Sequence, residues 1–138
     1  MDLFDSPGFL VNKLAHLMAV DLEKRLKAYG VTGSQWAILA LLWEQEGLSQ
    51  VEIQQLLDNE GATVTGILQR MDRAGLIKRE ADPHDRRVQR VYLTDAGKSL
   101  KDSLIPEAEA VNSKALRGFT DDETAFFIRL IRRTLQNF

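Results

Sequence analysis

The spacing of apolar residues changes its period twice along the second half of the chain, and this change limits the folds that the chain can adopt. Over residues 49–71 apolar residues recur at steps of three and four, as on one face of an α-helix. Over residues 76–93 apolar and polar residues alternate, as in half-buried strands. Helical spacing returns after Thr94. The order predicts a mainly α fold with a small β-hairpin.

Two short helices are predicted ahead of the hairpin. Residues 49–52 (Ser-Gln-Val-Glu) match a capping box, so a third helix begins there. A polar turn follows at 58–61 (Asp-Asn-Glu-Gly), and the fourth helix ends at Gly75, which suits a left-handed stop. Two short helices joined by a tight turn form a helix-turn-helix. Their inward residues are Ile53, Leu56, Leu57, Val64, Ile67, Leu68 and Met71.

The alternating segments 77–81 and 89–93 predict a two-stranded hairpin, with turn residues at 82–85 (Asp-Pro-His-Asp). A hairpin directly after a helix-turn-helix is a wing. The fold class is therefore a winged helix-turn-helix with six helices and a two-stranded hairpin.

Four further helices surround this unit. The first is long, amphipathic and ends near Gly30, whereas the second, over residues 32–43, is apolar nearly all round and forms the core. Thr94 caps the fifth, and Pro106 is expected to bend or break it. A second capping box opens the last helix at Thr120, with Phe126, Phe127, Leu130, Ile131 and Leu135 facing inward.

The length of 138 residues fits one domain. The absence of cysteine excludes disulfides and thiolate metal sites. No apolar run reaches the roughly 18 residues of a membrane span, so we expect a cytoplasmic protein without a membrane partner. The net charge is −2, but residues 59–94 carry seven basic and five acidic side chains. This distribution permits contact with DNA through one face.

The exposed face of the fourth helix carries small and polar residues near its N-terminus, as a helix in a major groove requires. Gln69 is the best base-reading candidate, because its amide can form two hydrogen bonds with adenine. An ordinary amphipathic helix with a solvated face is an equal alternative on this segment alone. The candidate DNA-binding residues of this helix are Thr63, Thr65, Gly66, Gln69, Arg70 and Arg73.

Arg86 and Arg87 lie at the predicted wing tip, where a flat guanidinium suits a narrow minor groove. Asp85 can hold one of them by a paired hydrogen bond and set its direction. The alternative is a surface salt bridge in an ordinary hairpin, worth at most about 1 kcal/mol. We include Asp85, Arg86 and Arg87 among the candidate DNA-binding residues.

The stretch from Leu48 to Gly97 resembles the multiple-antibiotic-resistance regulator (MarR) family of bacterial transcription factors. The resemblance implies an intertwined homodimer, a fourth helix in the major groove, and Asp85 and Arg87 in a minor-groove wing. It also implies a small aromatic or anionic effector that releases DNA. The segments that carry it are 48–50 (Leu-Ser-Gln), 52–53 (Glu-Ile), 63–65 (Thr-Val-Thr), 75–77 (Gly-Leu-Ile), Arg79, 82–83 (Asp-Pro), 85–87 (Asp-Arg-Arg), 91–94 (Val-Tyr-Leu-Thr) and Gly97, with Thr32 and 35–36 (Gln-Trp) upstream.

Gly66 departs from the family pattern, which commonly has arginine after Thr-Val-Thr. The glycine removes a phosphate or base contact and lowers helix propensity by up to about 1 kcal/mol. Alternatively, it lets the helix approach DNA closely. The sequence does not choose between the two.

The apolar stripes of the first and last two helices exceed what the central lobe can cover, which favours a homodimer over a monomeric helical core. We therefore predict that residues 30–94 form the DNA-binding lobe of the single domain and that residues 5–29 and 95–138 form its dimerisation helices. No nucleophile–base pair, phosphate loop, metal site or cofactor motif is present, so we expect no enzyme and no cofactor. His16, Trp36 and Trp43 are only weak effector-contact candidates. Two functions stand: a ligand-responsive repressor that binds a palindromic operator, and a winged-helix module that binds another protein and no DNA.

Overall fold

The computed structural model describes residues 1–58 and 61–138, and within these ranges it contains seven α-helices and a small antiparallel sheet. Asn59 and Glu60, part of the predicted turn, lie outside the described residues. Two 3₁₀ turns, Leu3–Asp5 and Lys27–Tyr29, flank the first helix. The elements are α1 (Pro7–Leu26), α2 (Gly33–Glu44), β1 (Leu48–Ser49), α3 (Gln50–Leu57), α4 (Gly61–Arg73), β2 (Ile77–Ala81), β3 (Gln89–Leu93), α5 (Asp95–Ser99), α6 (Lys101–Ala115) and α7 (Asp121–Leu135). The mainly α winged helix-turn-helix is confirmed.

Side-chain caps set the helix starts that the sequence predicted. Ser49 Oγ accepts the N–H of Glu52 at 3.1 Å, and the Glu52 carboxylate accepts the N–H of Ser49 at 3.4 Å. The same reciprocal pair forms at Thr120 and opens α7. Thr94 Oγ1 accepts the N–H of Gly97 and caps α5. Because each cap satisfies donors that the first turn leaves unpaired, α3, α5 and α7 begin where these residues stand.

The sheet has the order β1-β3-β2, so the second wing strand lies in its centre. The predicted hairpin pairs Ile77 with Leu93 and Ala81 with Gln89. The third strand was not predicted, because two residues are too few to show alternation. In β1, Ser49 pairs with Arg90 directly before α3 begins. The start of the helix-turn-helix is therefore joined to the wing through the backbone.

The core lies between α2, α3, α4 and the sheet, and Leu26 and Leu104 extend it toward α1 and α6. The core position predicted for α2 is confirmed by the burial of Ile38, Leu39 and Leu42, but its other residues from Trp36 to Trp43 are only half-buried. The inward placement predicted for Leu56 is wrong: its side chain is 58% exposed, because Ile53 and the half-buried Leu57 already form the face that α3 turns inward.

The helical segment after Thr94 breaks at Leu100 and not at Pro106, which adds one helix to the predicted six. α6 continues through Pro106. Proline cannot donate to the carbonyl of Asp102, four residues earlier, but Asp102 is exposed and water can satisfy that oxygen. A bend or a break was expected at Pro106, and of these two the break does not occur.

An ion-pair cluster, Asp21, Arg25, Glu107 and Lys114, joins α1 to α6. The Arg25 guanidinium lies 3.1 Å from Asp21 and 3.6 Å from Glu107, and Lys114 Nζ lies 3.5 Å from Asp21. The hydrogen bond from Arg25 holds the pKa of the Asp21 carboxyl below its usual range. The cluster fixes the long α1 against α6.

None of the described helices combines the length and hydrophobicity of a membrane-spanning segment.

Candidate DNA-binding surface

The two faces of α4 separate as the sequence predicted. Val64, Ile67, Leu68 and Met71 are buried, so that one face anchors the helix in the core. The predicted contact residues lie on the opposite side: Thr63, Gln69, Arg70 and Arg73 are exposed, and Thr65 and Gly66 are half-buried.

Thr65 is engaged by a residue that the sequence analysis missed. Gln50 Nε2, in the first turn of α3, donates to Thr65 Oγ1 at 2.6 Å. This bond connects the N-terminal turn of α3 with α4. The sequence offered a weak signal, because Gln50 lies inside the capping-box tetrapeptide where a side chain can reach across the turn.

The C-terminal half of α4 presents two arginines near β2. Arg70 and Arg73 form no ion pair with any described residue, which leaves both cations available. Arg79 on β2 donates twice to Asp72, at 3.1 and 3.2 Å, and so ties the wing strand to α4. A shallow depression of about 260 Å³ is lined by Gln69, Asp72, Arg73 and Arg79.

The wing tip contains the paired hydrogen bond that the sequence analysis expected. Arg87 donates from Nε to Asp85 Oδ1 at 3.0 Å and from Nη2 to Oδ2 at 3.1 Å, while its side chain stays 90% exposed. The hydrogen bonds from the side chain and backbone of Arg87 lower the pKa of the Asp85 carboxyl. Arg86 is exposed and forms no ion pair among the described residues. The tip therefore carries one directed and one free guanidinium.

The base of the wing is organised by Asp82, which the sequence analysis treated only as a turn residue. Its Oδ1 accepts the N–H groups of His84 and Asp85 at 2.7 and 3.2 Å, and its Oδ2 accepts from Arg90 Nε. Arg90 first, and the N–H of His84 second, lower the pKa of the Asp82 carboxyl. Only 8% of Asp82 is exposed. Asp82 thus shapes the turn that carries the two arginines.

The wing and the start of α3 border one depression of about 350 Å³. Gln50, Gln54 and Arg87 are among its lining residues, so it offers amide donors and a guanidinium side by side. Such donors suit the phosphates of a nucleic-acid backbone. Within residues 1–58 and 61–138, no group of three or more His, Asp or Glu side chains could hold a metal ion.

The weak effector-contact candidates do not meet in one place. The rings of Trp36 and Trp43 form an edge-to-face pair with centroids 5.6 Å apart and pack against the core. Trp43 Nε1 also donates to the carbonyl of Gly97 at 3.0 Å, which ties α2 to α5. His16 is exposed on α1. The geometry of the tryptophans is that of core residues.

The chain is similar to a known family of proteins and to a known transcriptional regulator. The model of the MarR family matches residues 31–88, which include α2, α3, α4 and the wing turn. The transcriptional regulator HosA of Escherichia coli O111:H- is 30% identical over 105 residues, covering 76% of this chain and 78% of HosA.

Two solved structures extend the likeness over nearly the whole chain. A probable transcriptional regulator from Pseudomonas aeruginosa, known from a crystal structure, is 30% identical to this chain and superposes with a TM-score of 0.85. The match covers 96% of this chain and 98% of that protein's chain. The regulator BpsR of Bordetella bronchiseptica, whose DNA binding is regulated by 6-hydroxynicotinic acid, is 25% identical with a TM-score of 0.86, covering 94% and 93% of the two chains. The match therefore extends beyond the winged lobe to the terminal helices.

Proposed function

The chain belongs to the MarR family of DNA-binding transcriptional regulators, and from this premise we propose that it is a repressor that binds a near-palindromic operator as a homodimer. The relatives are regulators and not enzymes, as the sequence analysis expected. A protein that acts on chromosomal DNA in this way would work in the cytoplasm.

The observation that carries the proposal is the Asp85–Arg87 pair at the wing tip. Its guanidinium is directed by two hydrogen bonds and yet almost fully exposed. A narrow minor groove attracts such a weakly hydrated planar cation. We assign Arg87 and Arg86 to minor-groove contact and Asp85 to the orientation of Arg87.

The major-groove contacts are assigned to α4. Gln69 is exposed and able to bond adenine, and Arg70 and Arg73 can reach phosphates along the same helix. The surface of α4 that faces DNA near the N-terminus of the helix is formed by Thr63, Thr65 and Gly66. Because Thr65 already accepts a hydrogen bond from Gln50, we propose that Thr65 shapes this surface, whereas Gln69 reads a base.

The helices outside residues 30–94 are proposed as the dimer interface. Exposed leucines and valines run along α1. The inward placement predicted for the apolar residues of α7 is wrong within the single chain, because Phe126, Ile131 and Leu135 are exposed and the helix has no buried residue. A groove of about 580 Å³ between α1, α6 and α7 is lined by apolar side chains such as Leu14, Phe127 and Ile131. Exposed apolar surface of this extent is typical of a subunit interface.

A two-fold dimer would place its two α4 helices about one turn of DNA apart, roughly 34–36 Å, which requires a near-palindromic operator. The direct test is selection of bound duplexes from a random pool at physiological salt, followed by affinity measurements on the enriched sequence. We expect two inverted half-sites and a log–log salt slope of about −0.9 per neutralised phosphate. Arg87→Ala should weaken binding to the selected duplex. Binding that is absent or insensitive to salt would contradict the proposal and favour the protein-interaction alternative.

We further propose that a small aromatic or anionic molecule releases the operator. The support is the likeness to BpsR, whose DNA binding is regulated by 6-hydroxynicotinic acid. A panel of aromatic carboxylates, including 6-hydroxynicotinic acid, can be screened for displacement of the selected duplex. An active compound should also restore transcription of a reporter placed behind the operator. If the protein were instead an activator of transcription, the same compound would lower reporter expression.

A further inference from the structure

Among the described residues, Arg90 is the side chain that is connected to the wing turn, to the loop before β1 and to the start of α3. Its Nε donates to Asp82 Oδ2, in the turn that carries the wing arginines. Its Nη1 donates to the carbonyl of Gly47 at 2.8 Å and lies 3.5 Å from Glu52 Oε1. Three segments therefore meet at a single planar guanidinium, and the two around β1, with Gly47 and Glu52, are distant in sequence from the wing.

Each of these three partners has a defined structural task. Asp82 accepts two backbone N–H groups and holds the wing turn in shape. Glu52 Oε1 also accepts the N–H of Ser49 in the capping box that begins α3. Gly47 donates its N–H to the carbonyl of Val91 on β3. A shift at Arg90 would therefore change the wing, the sheet edge and the start of α3 together.

The surroundings of Arg90 make it a poor phosphate ligand. Two of its three nitrogens are bound within the protein, and its side chain is 34% exposed, against 90% for Arg87. The carboxylates of Asp82 and Glu52 also compensate its charge. An effect of Arg90 on DNA binding is therefore expected to act through the residues that it holds.

We propose that Arg90 is a positioning residue for DNA binding, which fixes the wing relative to α3 so that the wing and α4 can contact one duplex at the same time. The inference rests on the proposed function. A planar group with several donors at fixed angles can bind an oxygen on each of three segments, which the single ammonium of lysine cannot reproduce.

The first test compares Arg90→Met, Arg90→Lys and Asp82→Asn with wild type, using fluorescence anisotropy of the selected operator duplex. Arg90→Met and Asp82→Asn should each weaken binding by about tenfold or more, because either change releases the wing turn from α3. Arg90→Lys should lie between Arg90→Met and wild type. The matched control is Lys78→Met, which removes an exposed cation from the neighbouring strand β2 and should change affinity by less than about twofold.

A thermodynamic cycle with the double variant Arg86→Ala, Arg87→Ala separates positioning from direct contact. If Arg90 acts by presenting the wing arginines, most of the penalty of Arg90→Met disappears when Arg86 and Arg87 are already alanine. If Arg90 itself binds a phosphate, its full penalty persists in that background. A persistent penalty, or an Arg90→Lys variant that binds as tightly as wild type, overturns the inference.

Thermal unfolding followed by circular dichroism establishes that each variant is folded at the assay temperature. Should Arg90→Met not fold, Arg90→Lys and Asp82→Asn provide the same comparison. Wild-type affinity distinguishes the two levels of failure. A wild-type protein that binds no duplex overturns the proposed function and this inference with it, whereas a binding wild type with Arg90→Met equal to Lys78→Met overturns the inference alone.

Discussion

Arg87 and Asp85 form a closed local ring at the wing tip: the arginine donates from Nε, Nη2 and its own backbone N–H to the carboxylate of a residue only two positions earlier. Because both partners belong to the same turn, little additional chain must be ordered to keep the pair together. The guanidinium is presented to solvent in a fixed direction. The Asp85 carboxylate, which has the same sign of charge as DNA, is thus built into a surface that is proposed to bind DNA.

Asp85→Asn should weaken operator binding by about three- to tenfold, although it removes a negative charge from the surface that approaches DNA. An amide has one acceptor oxygen and cannot accept both side-chain donors, so Arg87 loses its fixed direction. Fluorescence anisotropy at several salt concentrations measures the effect.

The control for this prediction is Asp95→Asn, which removes the same charge from an exposed residue in the first turn of α5. It should leave operator affinity nearly unchanged. If Asp85→Asn instead tightened binding, Asp85 would act by repelling phosphates and its orienting role would be wrong.

The folding stability of the protein should fall at low pH when the Asp82 carboxylate becomes protonated. The hydrogen bond from Arg90, and then the backbone donors, hold the pKa of this carboxyl below its usual range. A lowered carboxylate pKa stabilises the fold above the pKa of an unfolded aspartate, about 3.9, and this contribution is lost as the pH falls through the lower folded pKa. The melting temperature of wild type should therefore fall more steeply below about pH 4 than that of Asp82→Asn. Asp21 and Asp85 titrate in both proteins, so the difference between the two curves isolates Asp82. Parallel curves would show that Asp82 is not coupled to folding.

Much of the fold could be predicted because its signals are local. Ser49, Thr94 and Thr120 cap helices through residues three positions later, and the alternation in β2 and β3 survives in five-residue strands. The errors concern the surroundings that a residue meets in the folded chain, such as its exposure to water. Pro106 is accommodated because the carbonyl that it leaves unpaired belongs to the exposed Asp102.

The candidate site shows the same division. Asp85 and Arg87 are neighbours in sequence, so their pairing could be predicted from charge and turn chemistry. Gln50 meets Thr65 across 15 positions and Arg90 meets the carbonyl of Gly47 across 43, and neither pair leaves a periodic signal. Only the folded arrangement of α3, α4 and the sheet brings these groups together.

Gly97→Ala should destabilise the protein by about 2–3 kcal/mol. Its added Cβ would lie 2.2 Å from the carbonyl oxygen of Leu76, a backbone atom that also accepts the N–H of Thr94 at 3.1 Å. The backbone of α5 therefore packs directly on the segment that precedes β2, and a methyl group would push the two apart. Denaturant unfolding measures the loss.

Gly66→Ala is the matched helical control. Among the described residues, the nearest side-chain contact of its Cβ would be the Arg70 guanidinium, at an ordinary 3.6 Å. Alanine also raises helix propensity, so stability should increase by about 0.5–1 kcal/mol. Equal losses in both variants would show that close packing at Gly97 is not the cause. Operator affinity of Gly66→Ala also separates the two interpretations of that glycine, since weaker binding by a more stable protein indicates a close approach of the helix backbone to DNA.

Leu17 and Leu56 are a matched pair for the dimer proposal, because their side chains are 56% and 58% exposed in the single chain. Leu17 lies on α1, within the proposed interface, whereas Leu56 lies on α3 in the central lobe. If α1 is covered by a second copy, Leu17→Glu places a charge in an apolar interface and should convert the dimer to monomers. Operator binding should then fall sharply, since a single subunit can occupy only one half-site.

Leu56→Glu should remain a dimer, because its added charge stays in water. Light scattering at equal protein concentration measures both states. Two dimers would show that the apolar face of α1 does not hold the subunits together, and two monomers would show that the effect is not specific to this face.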